Sequence, residues 1–104
     1  MSETSGVTRP ILDALNKAGY FAMRLNSGSA RIGKYWVKLC PAGTADIVVY
    51  PPYKLPLWVE TKTAKGRTNP EQVQAQAEFA YTVEALGHKY VRATKLDDVL
   101  EALK

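Results

Sequence analysis

Two apolar runs joined by a short proline-bearing stretch constrain this chain more than any other feature. Ala45–Tyr50 and Leu57–Thr63 are separated only by Pro51–Pro56, a segment with three prolines. A connection of that kind makes a turn, and the reading supposes that the runs pair as an antiparallel hairpin across the loop near Tyr53, residue i with residue j where i + j is near 106. Their middles, Ile47-Val48-Val49 and Leu57-Trp58-Val59, are apolar at successive positions. Successive strand residues point to opposite faces, so both faces of the hairpin need cover and the runs belong in the centre of a sheet.

The rest of the pattern supplies that cover. Val7, Ile11, Leu15 and Ala18 recur at helical spacing. Pro10 lacks an N–H and suits only a first turn, which sets the start near Ser5 to Thr8, and Gly19 suits the exit. Tyr20–Asn26 alternates, with Phe21, Met23 and Leu25 on one face and Ala22, Arg24 and Asn26 on the other. A turn begins at Ser27-Gly28-Ser29, and Lys34–Leu39 alternates again, with Tyr35, Val37 and Leu39 together. Asn69, Pro70 and Gln72 mark a helix start, and the stripe Phe79, Ala80, Val83, Leu86 runs to Gly87. His88–Ala93 reads as a last strand. Lys95–Leu103 reads as a short helix with Leu96, Val99, Leu100 and Leu103 inside. Trp36, Trp58 and the tyrosines are expected in the core rather than as base-stacking platforms. The order is helix, three or four strands, helix, strand, helix. It predicts an α/β domain, a mixed central β-sheet flanked by helices, in the order α-β-β-β-α-β-α. Residues 1–6 are expected to be a flexible N-terminus and 7–104 a single domain.

The chain has 104 residues, and Lys and Arg outnumber Asp and Glu by 14 to 10. A basic balance favours polyanions, nucleic acid first, although a surplus of four also serves ordinary solubility. One cysteine, Cys40, excludes an intrachain disulfide and a cysteine-rich zinc site. No apolar run approaches the roughly 20 residues that span a bilayer. A cytoplasmic protein without a membrane partner is expected.

The charged residues beside the central runs are the informative ones. Asp46 begins one run and Glu60 stands late in the other, followed by Thr61 and Lys62. With the register centred on Tyr53, Asp46 faces Glu60, and directly opposed carboxylates destabilise a sheet. A divalent cation between them supplies a reason to keep the pair. Lys62 falls on the face of Glu60, while Thr61 points away and offers its backbone carbonyl. The plainer reading is a turn-capping Asp46 and a loose Glu60–Lys62 ion pair, which contributes about 0–1 kcal/mol. Gln76 lies on the inner stripe of the second helix, either bonded to this face or reaching solvent at the stripe's edge. Lys65-Gly66-Arg67 leads into that helix, and Arg24, Arg31, Lys34 and Lys38 add positive charge upstream. They form either a phosphate-binding flank or solvated surface.

These residues, Gly43-Thr44-Ala45-Asp46, Glu60-Thr61-Lys62, Gln76-x-x-Phe79 and Leu86-Gly87, resemble the PD-(D/E)xK nuclease superfamily. With Gly19 and the segment Arg24–Gly28, the chain is most similar to the virus-type replication-repair nuclease (VRR-NUC) domain, in its stand-alone phage and bacterial form, over about residues 7–103. The resemblance implies a restriction-endonuclease-like core and DNA phosphodiester hydrolysis dependent on Mg²⁺ or Mn²⁺. It implies Asp46 and Glu60 as metal ligands, the Thr61 carbonyl as a third, Lys62 beside the attacking water, and Gln76 in support. Arg24, Asn26, Lys34, Lys38, Lys65 and Arg67 are the expected DNA contacts. A homodimer acting on branched DNA such as Holliday junctions is implied, in a bacterial host cell. Relatives often carry an acidic residue in the first helix; here that position falls on Gly6, with Glu3 the nearby substitute, and Ala45 stands where many have Pro or Ser. The rival readings are a non-catalytic DNA-binding module on the same fold, a structural protein that binds no DNA, and a general repair or restriction nuclease.

Overall fold

A computed structural model of the chain describes residues 5–26, 29–62 and 70–104. The elements in order are α1 (Ser5–Lys17), β1 (Phe21–Arg24), β2 (Ser29–Ile32), β3 (Tyr35–Lys38), β4 (Ile47–Tyr50), β5 (Leu57–Thr61), α2 (Pro70–Ala85), β6 (Lys89–Ala93) and α3 (Leu96–Ala102). The main sheet runs β1-β4-β5-β6, and β2 and β3 form a separate two-stranded ribbon. β1–β4 and β4–β5 are antiparallel, whereas β5–β6 is parallel. The mixed sheet flanked by helices is therefore present. The β4–β5 pairs are Ile47↔Val59, Val48↔Trp58 and Val49↔Leu57, the register centred on Tyr53 that the sequence reading supposes.

Strand alternation divides the side chains between two layers. Ala22, Ile47, Val49, Leu57, Val59 and Ala93 meet Ile11 and Leu15 of α1, Val99 of α3 and Leu103 just after it on one face. Fully burying a side chain such as Leu15 or Ile47 contributes about 1.5–3 kcal/mol, which makes this layer the main apolar core. On the opposite face α2 covers the β5–β6 side. The Phe79 ring stands edge-on to Trp58 at 5.3 Å and tilted against Tyr90 at 6.2 Å. Trp58 Nε1 donates to His88 Nδ1 at 3.0 Å, giving a role to a histidine that the sequence leaves unassigned. His88 is held there by the exit of α2. Gly87 is left-handed at φ 88°, its N–H bonds to the Glu84 carbonyl, and the His88 N–H bonds to that of Val83.

Several expectations are corrected. Five strands precede α2, because Ser29–Ile32 pairs with β3 where only a turn was expected. Ser5 and Gly6 belong to α1 rather than to a frayed end. Pro10 is thereby the sixth helical residue, past the first turn, and cannot donate to the carbonyl of Gly6, which is exposed to water. Ala22 is the buried residue of β1, while Phe21 and Met23 are exposed, because β1 is an edge strand and α2 covers the other side of the sheet. Trp36, Tyr35, Tyr53 and Tyr81 are exposed instead of core, as are Leu86, just beyond the last turn of α2, and Leu100. Asn69, the expected cap of α2, and the turn at Ser27-Gly28 lie outside the described residues.

Candidate active site

The ends of β4 and β5 bring Asp46, Glu60, Lys62 and Gln76 together. Asp46 precedes β4, with its N–H bonded to the Val59 carbonyl at 3.0 Å and its own carbonyl accepting from Leu25 N–H at 2.7 Å. Its backbone is thus fixed between β1 and β5 while its carboxylate sits at the open end of the ladder. Oδ2 accepts from the Thr61 N–H at 2.9 Å and the Thr61 hydroxyl at 2.8 Å. Thr61, expected to contribute a backbone carbonyl alone, therefore orients Asp46 through its side chain and amide.

The Thr61 hydroxyl in turn meets that of Thr8 on α1, and both threonines are fully buried. An ionised carboxylate only accepts, so the Thr61 proton goes to Asp46 and Thr8 donates to Thr61. Sequence reasoning missed Thr8. Its place three residues before Ile11 and seven before Leu15 on the buried stripe was the available signal, masked by its polarity. No acidic residue of the described part of α1 joins the site; Glu3 lies outside the described residues.

Glu60 is 4% exposed, and its carboxyl is pushed up to about 8. Burial is the largest cause, followed by the charge of Asp46 and the hydrogen bond to it that favours the protonated form; Lys62 and Arg92 oppose the shift. Arg92, which stands opposite Glu60 in the parallel β5–β6 register, is a further residue missed from sequence. Lys62 Nζ donates to Gln76 Oε1 at 2.9 Å and stands 3.9 Å from Glu60 Oε2. Gln76 is 3% exposed, so its amide belongs to the site and not to solvent. The Tyr90 hydroxyl is buried on the same sheet face as Glu60 and has no hydrogen-bond partner among the described residues.

Gly43 explains how α2 comes close enough to present Gln76. Pro41–Thr44 makes a turn in which the Pro41 carbonyl accepts from both the amide and the hydroxyl of Thr44. Gly43 within it has φ 88°, and a Cβ there would land on the Ala75 carbonyl, one residue from Gln76. Gly43→Ala adds left-handed strain to a backbone collision, each costing about 1–3 kcal/mol. The variant is expected to melt at least about 8 °C below the wild type in a circular-dichroism scan. Melting within about 2 °C of wild type would show that α2 is not seated on this glycine.

The expected DNA contacts scatter. Lys34 and Lys38 are exposed on the β2–β3 ribbon, and Asn26 is exposed at its base, where its carbonyl accepts from Cys40 N–H. Arg24 lies on the α1 side of the sheet, in a depression with Arg9, Leu12 and Asp13, away from Lys62 and Gln76. Lys65 and Arg67 lie outside the described residues.

Among the described residues no group of three or more His, Cys, Asp and Glu converges, so the acidic donors here are two carboxylates. By donor chemistry two carboxylates are compatible with Mg²⁺ or Mn²⁺, which complete their shell with water and phosphate, and do not suit a four-ligand structural zinc site. Among the described residues no helix is long and apolar enough to cross a membrane. No family model and no curated protein matches the sequence.

Proposed function

We propose that the chain is a divalent-metal-dependent DNA nuclease, with a restriction-endonuclease-like core of the kind its resemblance to the VRR-NUC domain implies. One observation carries this reading: Asp46, the Glu60–Lys62 pair and Gln76, from three separate stretches of the chain, come together at the end of the sheet. A structural protein gains nothing from burying Glu60 against Asp46, which costs stability at neutral pH. Asp46 and Glu60 fit a magnesium ion and would hold it, with the Thr61 carbonyl as a third donor. A bound divalent ion supplies Lewis acidity at the phosphoryl oxygen and lowers the pKa of its water. Thr8 and Thr61 fix the Asp46 carboxylate, so its orientation is set before substrate arrives. Lys62, aimed by Gln76, offers an ammonium to the water or to the phosphate oxygen on which charge develops. A homodimer would place two such sites on the two strands of a branched junction.

Cleavage of labelled duplex, flap and four-way-junction DNA, with Mg²⁺, Mn²⁺ or chelator, tests the reading. Metal-dependent hydrolysis is expected, strongest on a branched substrate. Binding without cutting under every metal condition would leave a DNA-binding module, and neither binding nor cutting would remove nucleic acid altogether.

A further inference from the structure

Among the described residues β2 and β3 pair only with each other, Ser29↔Lys38, Ala30↔Val37, Arg31↔Trp36 and Ile32↔Tyr35. Every residue of the two strands except Ala30 is exposed. A lone ribbon is marginally stable in water, and large apolar side chains displayed on one mark a surface that meets something. Alternation gives it two unlike faces. Ile32, Tyr35 and Val37 share one. Arg31, Trp36 and Lys38 share the other, with Trp36 71% exposed, directly across from Arg31 and two residues from Lys38.

The chain has no acidic residue between Asp13 and Asp46, so the charge carried by this face suits an anionic partner. A second copy docked face to face would set Arg31 and Lys38 against like charges, which opposes that occupant. The ribbon is also rooted at the site. Cys40 N–H closes its base on the Asn26 carbonyl, and the neighbouring Leu25 N–H bonds to the Asp46 carbonyl. Four residues of strand extend about 13–14 Å, or about four base-pair steps.

We propose that the Arg31–Trp36–Lys38 face is a strand-holding arm, in which Trp36 stacks on an unpaired base of a DNA strand and the two cations meet the flanking phosphates. Its place beside the scissile phosphate rests on the nuclease reading above, which it deepens: the preferred substrate carries unpaired bases within a few nucleotides of the cut. An exposed indole between cations is the combination that binds single strands without reading sequence.

The test is fluorescence anisotropy in chelator, where nothing is cut, with an oligodeoxythymidylate of about twenty nucleotides (longer than the arm) and a blunt duplex as probes. Trp36→Ala is expected to bind the oligonucleotide about thirty-fold more weakly, mid-range for truncating one stacked aromatic, with little change on duplex. Trp36→Phe is expected to keep most of the affinity. Arg31→Ala with Lys38→Ala is expected to flatten the salt dependence, by about 0.7 of log-log slope for each single-strand phosphate that the variant no longer neutralises. Wild-type affinity in Trp36→Ala overturns the proposal, as does wild-type protein that binds neither probe. A change of oligomeric state by light scattering with affinity unchanged also overturns it and assigns the ribbon to a protein interface. Cleavage is scored separately. Loss of stacking in a protein that never cuts sinks the nuclease reading alone, and wild-type binding by a variant that cuts sinks the arm alone.

Discussion

Lys62→Ala is expected to lower the cleavage rate by about 10²–10³-fold, the effect of removing one preorganised donor from a site where charge develops. The wild-type ammonium is placed twice over, by the Gln76 carbonyl oxygen at 2.9 Å and by Glu60 at 3.9 Å. It is half-buried at the mouth of the site, where it can turn from Gln76 to a phosphate or water without crossing the sheet. Truncation leaves the Gln76 amide buried with an unpaired oxygen, a cost of about 1–3 kcal/mol, so the variant is expected to melt lower and must be assayed well below that temperature. Lys62→Arg is expected to recover little, because a planar fork cannot occupy the position of a compact ammonium. Gln76→Ala separates positioning from chemistry. Alone it is expected to slow cleavage less than Lys62→Ala, and added to Lys62→Ala it should change little more, since its effect runs through the lysine. Rates for Lys62→Ala within about three-fold of wild type, where an essential donor is worth orders of magnitude, would remove the lysine from the chemistry and leave it as the structural partner of Gln76. Fully additive losses would show that Gln76 acts on the substrate itself.

Those two residues also show how far the sequence carries. The Glu60–Lys62 spacing puts both side chains on one sheet face whatever the rest of the chain does, because strand period is two. The partnership with Asp46 rested on a supposed hairpin register, which the pairs Ile47↔Val59 to Val49↔Leu57 have. Gln76 was harder: a glutamine on an inner stripe reads equally as edge or site until the depth of α2 is known. That depth is set by the close approach of Gly43 to Ala75, backbone against backbone, which no periodicity encodes. Thr8 was invisible for a similar reason. Its hydroxyl has meaning only through Thr61, 53 residues away, and hydrophobic patterning ranks such a residue as a defect in the stripe. The exposed face of β1 and the free ribbon escaped because alternation reports which residues share a face, not whether any layer covers that face. Trp36 was assigned to the core on residue type alone, and Arg31, Lys34 and Lys38 beside it were the better guide to its surroundings.

Without divalent metal, the stability of the protein is expected to fall as pH rises from about 5 to 9, and Glu60→Gln is expected to remove most of that fall. The folded protein holds the Glu60 proton up to about 8, against 4.5 when the group is free in water. Between those values the folded state binds more protons than the unfolded one, so stability declines with pH. The contribution is fully present below about 4.5 and is lost as pH rises through about 8. At about 1.4 kcal/mol per pH unit the ceiling is 4–5 kcal/mol, and coupling to Asp46 and Lys62 reduces it to a few. A glutamine copies the protonated acid and can still donate to Asp46. Wild type and Glu60→Gln should therefore melt together near pH 5, diverge steadily from there to about pH 8 and stay apart above it, the variant standing higher by about 4–8 °C per kcal/mol. Metal reverses the comparison. A cation held by Asp46 and Glu60 requires both ionised, so millimolar Mg²⁺ or Mn²⁺ should raise the wild-type melting temperature at pH 8 and leave Glu60→Gln nearly unmoved. Calorimetry of metal binding near pH 7 in buffers of different ionisation heat should then report release of close to one proton. Parallel melting curves for the two proteins from pH 5 to 9 would mean that Glu60 is not held protonated in the fold. Equal stabilisation of both by metal would place the cation somewhere other than between these carboxylates, and the catalytic role assigned to them would go with it.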